Sequence, residues 1–244
     1  MNSGPVNQWP INRWLVNRIV ASPNHNVRKR PISMVVLHYT GMKSADEALE
    51  RMCDPEAEVS AHYMIDEEGL VTSLVPEERR AWHAGRSSWR GETDVNSASI
   101  GIELVNPGHE WGYRPFPEPQ MDALLPLLAD IIDRHDIPRA NVVGHSDVAP
   151  ARKTDPGEYF DWARLGELGL ALDIPAAKMN LFYDNPGAFF LALERFGYDI
   201  SDQPAAVTAF QRRWRPEIID GEVDGQIGGI LFELLLERDT GRAR

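Results

Sequence analysis

The chain predicts an α/β fold, a mixed central sheet covered by helices, followed by a small three-helix unit. Three observations carry this. Residues 34–37 and 142–143 are short apolar runs of the kind that form buried strands. Residues 99–106, SIGIELVN, alternate cleanly, with Ile100, Ile102 and Leu104 on one face and Gly101, Glu103 and Val105 on the other. Between the last two strands a helical period runs through residues 117–135, and strands and helices in this order suggest a sheet with helical cover.

Composition bounds the rest. The 244 residues suffice for one domain plus a small appendage. A net charge of -12 argues against a phosphate-backbone partner, so no nucleic acid is expected, and against adhesion to anionic membranes. Cys53 is the single cysteine, which excludes an intramolecular disulfide and thiolate-rich metal sites. Any metal must therefore use His and carboxylate ligands. The first 31 residues hold no apolar core of signal-peptide length, because Arg13 and Arg18 interrupt the one candidate, and no stretch is long enough to span a bilayer. The expectation is a cytoplasmic protein, or one of the periplasm or cell envelope if an export signal was removed.

In order, residues 1–30 are Asn-, Pro- and Arg-rich with apolar anchors such as Trp9, Trp14 and Leu15, and read as an arm packed on the domain. The strand at 34–37 ends at His38. Ser44 and Glu47 have the spacing of a capping box, which opens a helix through about Met52 that Pro55 stops. Residues 59–65 and 70–75 are β-rich and joined by a turn ending in Gly69, which suits a hairpin. A long Trp- and Ser-bearing loop runs from Trp82 to about Ser97. In the helix at 117–135, Met121, Leu124, Leu125, Leu128, Ile131 and Ile132 form one apolar face, and Pro126 is expected to kink it or delay its start. Residues 174–187 read as a linker. Helical patterns follow at roughly 188–196, 205–214 and 227–236, a unit just large enough to bury a core of its own.

The stretch 142–160, VVGHSDVAPARKTDPGEYF, organises the chemistry. It leaves a buried strand at His145 and then delivers Lys153 and Asp155 on a loop stiffened by Pro150 and Pro156. His145 and Asp155 suit a metal and Lys153 a substrate-facing role; a capped loop with a surface Lys–Asp pair suits the same residues. Glu103 sits mid-strand beside a glycine, as either a functional carboxylate or part of a solvated face. If the strands ending at His38 and His145 are neighbours, both imidazoles emerge at one edge, and Asp155 supplies a third ligand. Two His, one carboxylate and an open position describe a catalytic zinc site.

The runs VVLHYT, SAHYMID, WHAG, SIGIELVNPG and GHSDVAPARKTDPG, in this order over about residues 31–165, resemble the zinc-dependent type-2 N-acetylmuramoyl-L-alanine amidases, relatives of the peptidoglycan recognition proteins. The resemblance implies Zn2+ held by His38, His145 and Asp155, with Glu103 and Lys153 as the catalytic pair. It implies hydrolysis of the amide between the lactyl group of N-acetylmuramic acid, in its plain or its 1,6-anhydro form, and L-alanine of a stem peptide. Peptidoglycan or a muropeptide is then the partner. Trp82 and His83 are candidates to line the glycan or peptide cleft, or to pin their loop. Arg152 is a candidate to pair a stem-peptide carboxylate, or a solvated side chain. The C-terminal runs FGYDISD, AVTAFQRRWRP and IDGEVD resemble a peptidoglycan-binding module, with Ile227 where the module usually has Thr. The expected organisation is an arm (1–30), a catalytic domain (31–173), a linker (174–187) and a peptidoglycan-binding-like module (188–240). Two other readings stay open: a recognition protein that holds wall fragments without cutting them, and an unrelated zinc peptidase, which the absence of an H-E-x-x-H helix disfavours.

Overall fold

A strand that is apolar at every position needs cover on both faces, and the sheet is built around such a strand. The computed structural model describes residues 15–175 and 185–240. The strands are β1 (Arg18–Ile19), β2 (His25–Val27), β3 (Met34–Tyr39), β4 (Tyr63–Ile65), β5 (Val71–Ser73), β6 (Arg79–Ala81), β7 (Ser99–Leu104) and β8 (Val142–Gly144). The helices are α1 (Ala45–Cys53), α2 (Val95–Ala98), α3 (Gly108–Trp111), α4 (Glu118–His135), α5 (His145–Val148), α6 (Trp162–Glu167), α7 (Pro186–Phe196), α8 (Gln203–Trp214) and α9 (Gly225–Thr240). The main sheet has the order β1-β5-β4-β7-β3-β8, and β2 pairs with β6 in a separate ribbon. From β4 to β8 neighbours run parallel, while β4 and β5 form an antiparallel hairpin whose turn places Gly69 at φ +84°.

Alternation sorts the two faces. Val35, Leu37, Ile100, Ile102, Leu104 and Val142 bury against α4, through Met121, Leu124, Leu128 and Ile131. Met34, Val36 and Val143 point the other way and pack with Trp89, Val95 and Val148. That same cluster continues without a break into Phe189, Leu193, Phe196, Phe210, Trp214, Ile230 and Leu234 of α7, α8 and α9. The C-terminal helices thus share their core with the sheet: they are its second cover. A smaller cluster of α1, Met64, Leu74 and Val105 covers the rest of that face.

Several local expectations meet physical detail. Ser44 accepts the Glu47 N–H as expected of an N-cap, but the Glu47 carboxylate reaches back to the Lys43 N–H. Pro126 lies inside α4 without delaying its start at Glu118; Pro126 and Asp122, whose carbonyl loses its i+4 donor, are both on the exposed side. Residues 15–30 belong to the domain's architecture: β1 adds a parallel edge to β5, and β2 pairs β6. The Arg28 guanidinium donates to the carbonyls of Glu77, Arg79, Ser97 and Ser99. The anchors Trp9 and Trp14, and residues 176–184 of the expected linker, lie outside the described residues.

Candidate active site

Parallel pairing sets a single row across the C-terminal edge of the sheet. Glu103 on β7 is in register with His38 on β3, and Leu37 is in register with Gly144, so His145 follows one step beyond on β8. All three side chains leave the face opposite α4. Carboxyl ends of adjacent parallel strands are where α/β sheets place ligands. His145 opens the one-turn helix α5 instead of a plain loop, and the chain then returns Asp155 to the same point, tied by the Ser146 N–H to the Asp155 carbonyl.

Nδ1 of His38 lies 2.9 Å from Nδ1 of His145, and each is 3.0 Å from Asp155 Oδ2. Hydrogen bonds behind the rings decide where their protons are. Ser99 donates its hydroxyl to the Val95 carbonyl (2.5 Å), so its oxygen accepts from His83 Nε2–H (3.1 Å). His83 Nδ1 is then bare and accepts from His38 Nε2–H (3.0 Å). His145 Nε2–H donates to the Ala84 carbonyl (3.0 Å). Both Nδ1 atoms therefore present lone pairs, toward each other and toward a carboxylate oxygen.

Burial reinforces this protonation. His38 is pushed down to about 4, first by burial and then by facing His145. His83 is driven well below the imidazole range, by burial and then by His38 and His62. Three acceptors within 3 Å and no hydrogen between them suit a cation. Tetrahedral coordination at about 2.0–2.1 Å would set ligand atoms about 3.3 Å apart, close to the spacing found. The three residues form a candidate metal site, and imidazoles oriented through their second nitrogen are the usual arrangement of metal-ligating His.

Two glycines make room for it. A Cβ at Gly101 would meet the His83 ring at 2.4 Å, so the space that a glycine leaves beside Glu103 is filled by His83. A Cβ at Gly144 would meet the Pro156 ring at 2.7 Å, beside Asp155.

The site opens into a cleft of about 370 Å³. Glu103 stands in its wall with Oε2 shielded from water and without a hydrogen-bond partner among the described residues. Burial and then the charge of Asp155 raise its carboxyl well above the ordinary range, with Lys153 opposing. Lys153, Trp82 and Tyr39 line the same cleft. His83 reaches it with one ring face, but both its nitrogens are engaged within the protein. Arg152 also lines it, while its Nε and Nη2 donate to the carbonyls of Ala84 and Arg86, leaving Nη1 without an acceptor among the described residues. The sequence reading did not single out Ser99, Asn96 or Asp147. Asn96 Oδ1 accepts the N–H groups of His83 and Ala84, and Asp147 accepts the Gly144 N–H. For Asp147 a signal existed: an Asp three residues after the turn that begins α5 has capping spacing.

A parallel sheet edge that brings two imidazoles, a carboxylate, a second, unpartnered carboxylate and an ammonium to one cleft defines an α/β protein with a candidate metal site. The chain belongs to the type-2 N-acetylmuramoyl-L-alanine amidase family, whose model matches residues 28–158. It is 36% identical to the N-acetylmuramoyl-L-alanine amidase AmiD of Escherichia coli, over 85% of this chain and 83% of that one. It is 34% identical to the 1,6-anhydro-N-acetylmuramyl-L-alanine amidase AmpD of Haemophilus influenzae, over 59% of this chain and 88% of that one. The fold matches that of E. coli AmiD, solved with anhydro-N-acetylmuramic acid-L-Ala-D-γ-Glu-L-Lys, with a TM-score of 0.76, 35% identity and coverage of 87% and 92% of the two chains. No helix among the described residues is long and apolar enough to cross a membrane.

Proposed function

We propose that the chain hydrolyses the amide between the lactyl group of N-acetylmuramic acid and L-alanine, at a zinc ion held by His38, His145 and Asp155. The observation that carries this is the convergence of three acceptor atoms with no proton between them, beside the unpartnered Glu103 Oε2. Zinc, when bound, supplies a Lewis acid that brings the pKa of water in the cleft down toward about 7. Glu103 Oε2 takes the proton of the attacking water and returns it to the departing amine nitrogen, a role its raised affinity for protons favours. Lys153 Nζ offsets the charge that grows on the carbonyl oxygen. Trp82 offers an aromatic wall for a sugar ring or an alanyl side chain. In this reading His83 orients His38 and does not grip substrate. Arg152 fixes the 84–86 loop, with Nη1 open to a stem-peptide carboxylate.

The substrate is a muropeptide, with the 1,6-anhydro form favoured by the ligand in the E. coli AmiD structure. The test is Glu103→Gln. It keeps stoichiometric zinc and loses roughly two to four powers of ten in turnover on an anhydro-muropeptide, read by mass analysis of the released peptide. Near-normal turnover would remove Glu103 from the mechanism. Product masses from purified sacculi, compared with soluble anhydro-muropeptides, decide between intact wall and fragments.

A further inference from the structure

The C-terminal stretch RRWRP bears three arginines and an indole, yet Arg213, Trp214 and Arg215 are each at most 4% exposed. These side chains cannot meet a glycan. Arg213 instead crosses from α8 to the segment that carries His145. Its Nη1 donates to Asp147 Oδ2 (2.5 Å) and its Nη2 to the Val142 carbonyl (3.0 Å). The guanidinium lies 3.8 Å from the Trp162 ring and 4.3 Å from the Trp214 ring, a slot that fits a planar cation. Tyr198, in the turn before α8, donates its hydroxyl to Asp147 Oδ1 (2.5 Å). Asp147 is itself fully buried and accepts the Gly144 N–H (2.7 Å). His145 therefore follows directly on two backbone points, the Val142 carbonyl and the Gly144 N–H, that Arg213 holds directly or through one carboxylate. The neighbouring Arg212 lies 3.6 Å from Glu158, beyond Asp155 on the same segment.

We propose that Arg213 and Tyr198 of the C-terminal helical unit are positioning residues for the metal site, acting through Asp147 on the turn that presents His145. The inference rests on the reading of His38, His145 and Asp155 as zinc ligands. It makes the C-terminal unit part of the catalytic machinery's frame, whatever else it binds. A carboxylate with two donors from α8 and its preceding turn, and one from the backbone beside the ligand, transmits any shift of α8 to the imidazole; a metal-ligand angle is sensitive to such shifts.

A matched control caps the same helix. Arg215 is equally buried, and its ion pairs and hydrogen bonds go to Asp220, Asp224 (2.5 Å), Gln226 and the Ile218 carbonyl, none of them on the 142–160 segment. The experiment measures zinc affinity of the full-length apo-protein by chelator competition, with the visible spectrum of the Co2+-loaded form as a second readout. Arg213→Lys, which keeps the charge but cannot fork or stack, is expected to weaken zinc about tenfold and to shift the Co2+ bands. Tyr198→Phe, a gentler change that serves if Arg213→Lys fails to fold, is expected to weaken zinc about threefold. Arg215→Lys lowers the unfolding temperature while leaving zinc affinity and the Co2+ spectrum as in the wild type. Equal losses in the Arg213 and Arg215 variants, or none in Arg213→Lys and Tyr198→Phe, overturn the proposal. A wild-type protein that takes up no zinc, or a His38→Ala variant that binds it undiminished, overturns the metal reading instead.

Discussion

Glu77 and Asp155 are both buried carboxylates held by residues distant in sequence, and their surroundings are opposite. Glu77 Oε1 accepts from the Tyr63 hydroxyl (2.6 Å) and Arg134 Nη2 (2.9 Å); its Oε2 accepts from Arg134 Nη1 and His135 Nε2, each at 2.6 Å. Every lone pair that faces protein meets a hydrogen. Asp155 Oδ2 faces two bare imidazole nitrogens at the same kind of distance, with no hydrogen to share. The first cluster is complete in the protein alone and holds α4 to the sheet. The second presents three facing acceptors that suit a cation. Buried polar groups are normally satisfied, so three facing acceptors at one point mark that cluster as the candidate site.

The largest effect should come from the open cluster. His145→Ala removes one of three ligands; zinc binding is expected to fall more than about a hundredfold, since even the partners behind a ligand are worth 10–100-fold. Amidase activity should vanish while the unfolding temperature of the apo-protein stays within a few degrees of the wild type. Glu77→Gln is the converse. Breaking a buried ion pair costs about 3 kcal/mol, toward the low end of the usual range because Arg134 and His135 keep some access to water. Urea unfolding should show that loss, with turnover per folded molecule unchanged. If Glu77→Gln instead lowers zinc affinity, the two clusters are not independent and the contrast drawn here is wrong.

Acid should separate them next. Burial pushes the Glu77 carboxyl up, but hydrogen bonds from Arg134, His135 and Tyr63 outweigh it and hold the group below the usual range. Its stabilisation is complete above the unfolded value of about 4.3 and is lost as pH falls through the folded value. His62 is pushed down to about 3, first by burial and then by Arg28. It stays neutral in the fold while the unfolded chain takes up a proton below about pH 6.5. Both groups make stability rise with pH. Between about pH 6 and 3, His62 alone contributes a slope of up to about 1.4 kcal/mol per pH unit. Unfolding free energies measured from pH 7 to 4 that do not decline would show that His62 is not held neutral.

Much of the site could be read from the chain because each key residue closes or occupies an apolar strand. His38 ends the apolar run of β3, His145 follows β8, and Glu103 lies on the face of β7 opposite its isoleucines. What could not be read was the order of strands: β7 lies between β4 and β3, and no local pattern encodes that. Residues 15–30 escaped because strands of two or three residues leave no period. Nothing local marks Glu77, in the charged run PEERR, as buried, because its partner Arg134 lies 57 residues away. The C-terminal helices were legible by period, but their role as cover was legible only indirectly. Val36 and Val143 face away from α4, and something had to bury them. His83, read as lining the cleft or pinning its loop, has both nitrogens committed, one to His38 and one to Ser99.

That last chain gives the smallest and sharpest test. Ser99 donates to the Val95 carbonyl and so can only accept from His83, which fixes the His83 tautomer and, through it, the lone pair on His38 Nδ1. Ser99→Ala removes the acceptor and frees His83 to carry its proton on Nδ1. His38 would then share its proton between both nitrogens, and zinc would have to displace it from Nδ1 in a fraction of molecules. The expected loss is about tenfold in zinc affinity, at the lower end of what partners behind a ligand contribute. Nitrogen chemical shifts of His38 in the apo-protein should move from a pure Nε2–H pattern toward a mixture. Wild-type zinc affinity with an unchanged His38 pattern would mean that burial alone sets the tautomer, and that the open cluster is kept open by desolvation and not by a relay of hydrogen bonds.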